Sequence, residues 1–265
     1  MPINSTVRGS FGAQGKFTLR DNFWWGTNSP VFYLNPAQYT ANASTWTDSK
    51  SGIVFAKVGD TQTAKDGAHK VFMPSGNRFG FSAPHISALD VGTGNFSVDF
   101  WLYMPTTAFG STGSTVFRDG ASGTSQGWRT IINNGQFWSE FEWNIYIKDS
   151  GTELGFATTG AYGLETSLST IGTGWKHITV VRSASGRKIY INGSLVNSDS
   201  TVNPIGPPNT WGFNINSFWD TANGVPNSGY GDTRFQFGRI RAYANELGSS
   251  TVLAIYNAER SLYGL

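Results

Sequence analysis

The chain contains no cysteine. That excludes a disulfide framework, a thiolate metal site and a thiol nucleophile, so core area alone must hold the fold. Charge is sparse: 14% of residues are charged, and 19 basic against 17 acidic residues leave a net +2. So small a balance gives no electrostatic footprint for nucleic acid or for an acidic membrane surface. Histidine is scarce too, and His69, His85 and His177 are scattered without HExxH spacing. No GxSxG nucleophile elbow and no P-loop occur. No window approaches the ~18 apolar residues of a membrane span. The opening residues, Met1 to Ser10, lack the apolar core of a signal peptide. The sequence therefore predicts neither membrane insertion nor a cleaved leader.

What the chain has in quantity is glycine, at 33 residues, and tryptophan, at ten. A turn-rich, aromatic-rich, weakly charged chain of this length reads as one all-β unit rather than a helical bundle. The clearest pattern lies at Gly174 to Ser198. Trp175, His177, Thr179 and Val181 alternate with Lys176, Ile178, Val180 and Arg182, the period of a strand. Ser183 to Gly186 breaks the run, and a second strand follows at Arg187 to Ile191. Asn192-Gly193 then supplies the two positive-φ residues of a type I′ turn before Leu195 and Val196 return. Such a meander needs a second sheet to cover its apolar face.

Asn95 to Met104 is another alternating strand, with Phe96, Val98, Phe100, Leu102 and Met104 on one face. Strands are also expected at Val31–Leu34, Glu153–Thr158, Trp211–Trp219 and Phe237–Tyr243. Residues 106–127 read as a long rim loop with a short strand around Val116–Arg118. Residues 220–232 form an Asn/Gly/Ser loop holding Tyr230, either a connector or a ring on which a sugar stacks. Near the C-terminus a short helix is expected from Gly248 to Asn257, capped by Ser249 or Ser250. Val252, Ile255 and Tyr256 make its apolar face.

Residues 1–28 differ from the rest. Arg8, Lys16 and Arg20 are unopposed by acid until Asp21, and Phe11, Phe17, Trp24 and Trp25 are more aromatic than disordered tails usually are. Two readings stand: a disordered tail, or an arm that orders on a neighbouring subunit.

The Gly174–Ser198 pattern resembles the central signature of laminin-G-like, concanavalin-A-like jelly rolls. Asn35-Pro36 after a first strand, then Trp46-x-Asp48-x-Lys50-x-Gly52, is similar to the start of phage-encoded members. The family usually has Asp where this chain has Asn35. Arg241-x-Tyr243, a loop to Gly248-Ser-Ser, a helix, then Tyr256-Asn-Ala-x-Arg260 and Tyr263-Gly264 resembles the ending of such domains in tailed-phage structural proteins. The resemblance spans roughly residues 30–265. It implies a two-sheet antiparallel jelly-roll sandwich with a short C-terminal helix at 29–265, preceded by an extended arm at 1–28.

The resemblance also implies a non-enzymatic virion protein, a head-decoration or tail-associated one, made in the host cytoplasm and displayed on the particle surface as a homo-oligomer. Its partners would be other virion proteins, with the arm (Arg8, Phe11, Lys16, Phe17, Arg20, Trp24, Trp25) as the anchor. A calcium ion at the sandwich rim fits the family, with no oxygen ligand set assignable; no other cofactor is implied. The alternatives are a free lectin module and a glucanase. A glycan site would use Trp138, Glu140, Glu142, Tyr146 and Tyr230, with host polysaccharide as ligand.

The glucanase reading rests on Gln136–Lys148. There Trp138, Glu140, Glu142, Asn144, Tyr146 and Lys148 share one face of a strand, and Phe137, Ser139, Phe141, Trp143, Ile145 and Ile147 the other. Glu140 and Glu142 lie ~6–7 Å apart by strand rise, near the ~5–5.5 Å carboxylate spacing of retaining glycosidases. Concanavalin-A-like glucanases carry Glu-x-Asp-x-(x)-Glu on such a strand. Here the last acid is Asn144, which cannot protonate a leaving oxygen. The residues thus read as a solvated polar face.

Overall fold

The computed structural model describes residues 28–59, 63–67, 69–72, 80–104, 128–135, 141–148, 153–158, 163–202, 212–220, 225–227 and 235–265. The expected anchor residues 8–25, the strand around Val116, and Trp138, Glu140 and Tyr230 lie outside them.

The first strands are β1 (Phe32–Leu34), β2 (Thr45–Thr47), β3 (Val54–Val58), β4 (Ala64–Asp66), β5 (Lys70–Phe72), β6 (Gly80–Ala83) and β7 (Phe96–Met104). Then come β8 (Trp128–Gly135), β9 (Phe141–Lys148), β10 (Glu153–Thr158), β11 (Leu164–Ser167) and a one-turn helix α1 (Leu168–Ile171). The meander is β12 (Gly174–Ser183), β13 (Gly186–Ile191) and β14 (Ser194–Asp199). The chain ends through β15 (Phe213–Ile215), β16 (Phe218–Asp220), β17 (Val225–Asn227), β18 (Gln236–Tyr243) and the helix α2 (Ser249–Glu259), followed by a 3₁₀ turn at Arg260–Tyr263.

These strands form two antiparallel sheets. Sheet A runs β14-β13-β12-β7-β18-β5-β4, with β1 also on β18; sheet B runs β11-β10-β9-β8-β15-β6-β3-β2. The architecture is the expected jelly-roll sandwich. Asn192 and Gly193 take φ of 51° and 81°, as the type I′ turn requires. The run at Trp211–Trp219 is not one strand. Asn216 takes φ 50° and ends β15, and β16 pairs instead with β17 in a small ribbon. That ribbon lies against β8 and β15.

Alternation places one face of each long strand in the core. Phe96, Val98, Phe100, Leu102 and Met104 of β7 pack with Ile178, Val180 and Ile189 of sheet A. Opposite them stand Trp143, Ile145 and Ile147 of β9 and Phe213 and Ile215 of β15. Aromatic rings bridge the sheets: Phe32 to Phe213 (4.9 Å), Phe213 to Trp143 (5.5 Å) and Trp143 to Phe96 (5.3 Å). Each such ring removed from water contributes ~1.5–3 kcal/mol.

Polar clamps fix the start of the domain. The Asp48 carboxylate accepts the Tyr33 N–H (2.5 Å), the Lys50 N–H (3.0 Å), the Ser51 N–H (2.5 Å) and the Ser51 hydroxyl, tying the loop after β2 to β1. Asn35 caps a 3₁₀ turn through the Ala37 N–H (3.0 Å) and receives the Trp46 indole N–H on its carbonyl. Its role is structural.

The outer face of sheet A is covered by the C-terminus. Helix α2 seats Val252 and Ile255 on Val181, Tyr190 and Tyr243. Its N-cap is Gly248 with no side-chain cap, so neither Ser249 nor Ser250 caps it. Tyr263 stacks on Trp101 at 4.1 Å. Beneath them lies a buried charge network. Asp99 meets Arg241 (2.5 Å) and accepts the Thr179 hydroxyl (3.0 Å). His177 Nε2 lies 2.5 Å from Asp99 Oδ2. Glu259 of α2 binds Arg241, Arg239 (2.7 Å) and the Trp101 N–H (2.8 Å). Burial alone would raise the Asp99 carboxyl; His177 and Arg241 outweigh it and hold it at about 2.

Candidate functional site

The outward face of sheet B carries a row of neutral polar side chains. Because residues directly opposed across a sheet share a face, register alone builds the row. Asn144 on β9 opposes Asn133 on β8, Asn133 opposes Asn214 on β15, and Asn214 opposes Ser82 on β6. Ala157 on β10 and Ala56 on β3 extend the row at either end. Their chain neighbours Ile132, Trp143, Ile145, Phe213, Ile215, Phe81 and Phe55 are in the core, so the row points away from it. At 4.7–4.9 Å between strands, Asn144 and Ser82 stand roughly 14 Å apart.

Part of this row is satisfied internally. Ser82 donates to Asn214 Oδ1 (2.8 Å), and the Asn214 amide donates to Gly212 O (2.9 Å). Asn133 donates to Gly135 O (3.3 Å). Both amide atoms of Asn144, Oδ1 of Asn133 and the Thr130 hydroxyl one row along are buried without a partner among the described residues. An unmet buried polar atom costs ~1–3 kcal/mol, so these are the groups of the face with most to gain from a hydroxyl-bearing ligand.

The expectation of a solvated face on β9 is corrected. Glu142, Asn144 and Tyr146 are buried, at 1%, 0% and 0% exposure. Alternation places them opposite the core but says nothing of what else packs there. Glu142 accepts the Asn134 amide (2.7 Å). Tyr146 lies flat over two glycines: an added Cβ would sit 2.2 Å from its ring at Gly155 and 1.9 Å from its hydroxyl at Gly163. Its hydroxyl donates to Glu165 (2.9 Å), and Lys148 bridges Glu165 (2.6 Å) and Glu153 (2.9 Å). Burial and the Glu165 charge push the Tyr146 hydroxyl pKa well up. Burial would lower the Lys148 pKa, but its bonds to Glu165 and Glu153 outweigh this and keep it raised. A tyrosine so enclosed offers no ring face for stacking.

The structure thus brings Asn144 to one polar face with Asn133, Asn214 and Ser82, which sequence reading did not connect. The Asn residues on β8 and β15 are marked only by polar interruptions among apolar neighbours. Their alignment with Asn144 is a property of register. Among the described residues no group of three or more His, Cys, Asp or Glu side chains is placed to hold a metal ion, and no helix is long and apolar enough to cross a membrane.

Residues 75–237 match the family model described as the concanavalin A-like lectin/glucanases superfamily. The chain belongs to this superfamily. The match spans β6, β8, β9 and β15, which carry Ser82, Asn133, Asn144 and Asn214. Among solved structures, the chain is similar to the binding domain of botulinum neurotoxin serotype G, with a TM-score of 0.60 at 19% identity over 88% of this chain and 52% of that one. The serotype D binding domain gives 0.59 at 15%, over 88% and 52%. Trypanosoma rangeli sialidase, in complex with sialic acid, gives 0.57 at 13%, over 86% and 33%. This chain spans about half the length of the toxin domains and a third of the sialidase. At these identities the likeness is one of fold. No curated protein matches the sequence.

Proposed function

We propose that this superfamily member is a non-enzymatic carbohydrate-binding module that holds a neutral saccharide on the outward face of sheet B. The observation that carries the reading is the Asn144–Asn133–Asn214–Ser82 row with its unpartnered amide atoms. Carboxamides both donate and accept, which suits neighbouring sugar hydroxyls, and they carry no charge that a neutral ligand would have to compensate. All four side chains of the row are buried, so binding requires the face to open to the ligand. Asn144→Ala should weaken binding of a neutral polysaccharide about tenfold for each hydrogen bond lost, in titration calorimetry against an array-selected ligand. Unchanged affinity in both Asn144→Ala and Asn133→Ala would refute the site.

The lack of an acid at Asn144 supports a non-hydrolytic role. Release of reducing sugar from β-glucans, abolished by Glu140→Gln, would overturn it. The setting proposed is the virion surface, with the domain displayed in repeated copies and residues 1–28 as the anchor. This rests on the resemblance of the two chain ends to tailed-phage structural proteins. Cryo-EM of particles with and without residues 1–28 tests it: density at regular positions, lost on truncation, is expected, and full occupancy by the truncated protein would refute the anchor.

A further inference from the structure

A cleft of about 560 Å³ opens where β3 and β6 end, a volume within the range of small-molecule sites. On β3, Val54 lies two residues before Ala56, and Pro84 lies two residues after Ser82; Ala56 and Ser82 are the paired end of the polar row. With a side-chain period of two, Val54 stands on the same outward face as that row. The Val54 side of the cleft therefore continues the face of the polar row at the β3–β6 end, and Val31, Ile53 and Ile86, which pack with the core, form its other side.

Its chemistry changes there from amide to aliphatic. Val31, Ile53, Val54, Pro84, Ile86 and Ala88 form its walls, with no aromatic ring among the described lining residues. Val54 is 46% exposed, so its apolar surface is open to a ligand. The polar side chains at the cleft are Ser51, Ser87 and His85, and no lysine or arginine lines it. His85 is engaged with Asp90, Nε2 to Oδ2 at 2.8 Å, which places a carboxylate beside the cleft. An anionic head group, such as a fatty-acid carboxylate or a phosphate, would find no lysine or arginine among the described lining residues to pair with.

We propose that this cleft receives an uncharged aliphatic chain, an alkyl or acyl substituent borne on the saccharide held by the polar row. The inference rests on the glycan-binding reading and adds to it the substituent that the ligand carries. It makes the domain selective for acylated or alkylated sugars over bare ones.

The test uses the full chain and alkyl β-D-glucosides of increasing length, methyl, butyl, hexyl and octyl, below their micelle concentrations. Binding is followed by the NMR methyl resonances of Val31, Ile53 and Val54. Affinity is expected to rise by up to about fourfold per further methylene until the cleft is filled, with shifts confined to these methyls. Val54→Asp, a substitution at a half-exposed position, should flatten the series. Affinity independent of chain length, or a series unchanged in Val54→Asp, would overturn the inference. Polysaccharide binding in wild type, lost in Asn144→Ala, is read separately. If that binding is present while the series is flat, only the cleft falls. If that binding is absent while the series rises and depends on Val54, the glycan reading falls and the cleft stands as an aliphatic site.

Discussion

Removing the Glu259 carboxylate should loosen the C-terminal helix from the sandwich, and the network beneath it sets the size of the effect. Glu259 is buried and accepts from Arg239, Arg241 and the Trp101 indole at once. Burial would raise its carboxyl, but Arg241 and Arg239 outweigh this and lower it, so the group is charged at neutral pH. Glu259→Gln keeps the shape and removes the carboxylate that Arg239 and Arg241 share, and of the two only Arg241 also pairs with Asp99. Breaking a buried pair from one side costs ~3–5 kcal/mol, because the other charge stays buried. For a chain of this size 1 kcal/mol shifts the midpoint by ~2–4 °C, so a fall of ~6–20 °C in thermal melting is expected. Arg239 pairs with Glu259 and not with Asp99, which allows a clean cycle. Glu259→Gln, Arg239→Met and the double variant should give a coupling of ~0.5–3 kcal/mol in urea unfolding. A Glu259→Gln melt within the ~0.5 kcal/mol of an ordinary surface change, with no coupling to Arg239, would refute the account of how α2 is held.

Asp99 predicts an acid limb. Its carboxyl moves from an ordinary 3.8 to about 2 on folding. A lowered folded value means the stabilisation is complete above pH ~4 and is lost as pH falls toward 2, about 2 kcal/mol in all. Urea melts from pH 5 to 2 should show the stability gap between wild type and Asp99→Asn closing over that window; a constant gap would be contrary. Gly155→Ala places a Cβ 2.2 Å from the Tyr146 ring and should cost ~1–3 kcal/mol by overpacking, with the penalty removed when Tyr146→Ala is added. Asp48→Asn replaces a carboxylate oxygen that accepts from β1 or the turn with an amide donor. It should cost ~1–3 kcal/mol in a urea melt, with no effect on sugar binding.

The sandwich was readable because its long strands alternate. In β7, the face of Phe96, Val98, Phe100, Leu102 and Met104 is the core face expected, and Asn192-Gly193 sets the hairpin as its residue types demand. What alternation does not contain is the fate of the second face. Asp99, Trp101, His177 and Thr179 look like a solvent face by period, yet they lie under α2 and its following turn. Glu142, Asn144 and Tyr146 repeat the case on sheet B. Period two says which residues share a side; what covers that side depends on segments distant in sequence. Trp211–Trp219 failed for a local reason instead: Asn216, among the residue types that tolerate a left-handed backbone, ends the strand where pattern alone would continue it.

The two outward faces answer their burial in opposite ways, and this separates structure from function in the molecule. Under α2 the polar groups are ionic and bound to one another across β7, β12, β18 and the helix, so that a ligand there would have to break salt bridges worth several kcal/mol. On sheet B the row is made of amides and hydroxyls, and the described residues supply no partner to Asn144 or Thr130. A face whose charges pair with one another serves to fix an element in place. A face of neutral groups with hydrogen-bonding capacity to spare, running on into an aliphatic cleft, gains free energy when a ligand of matching chemistry arrives. For that reason the proposed recognition surface is Asn144, Asn133, Asn214 and the Val54 cleft, while the Asp99–Arg241–Glu259 network holds the C-terminus.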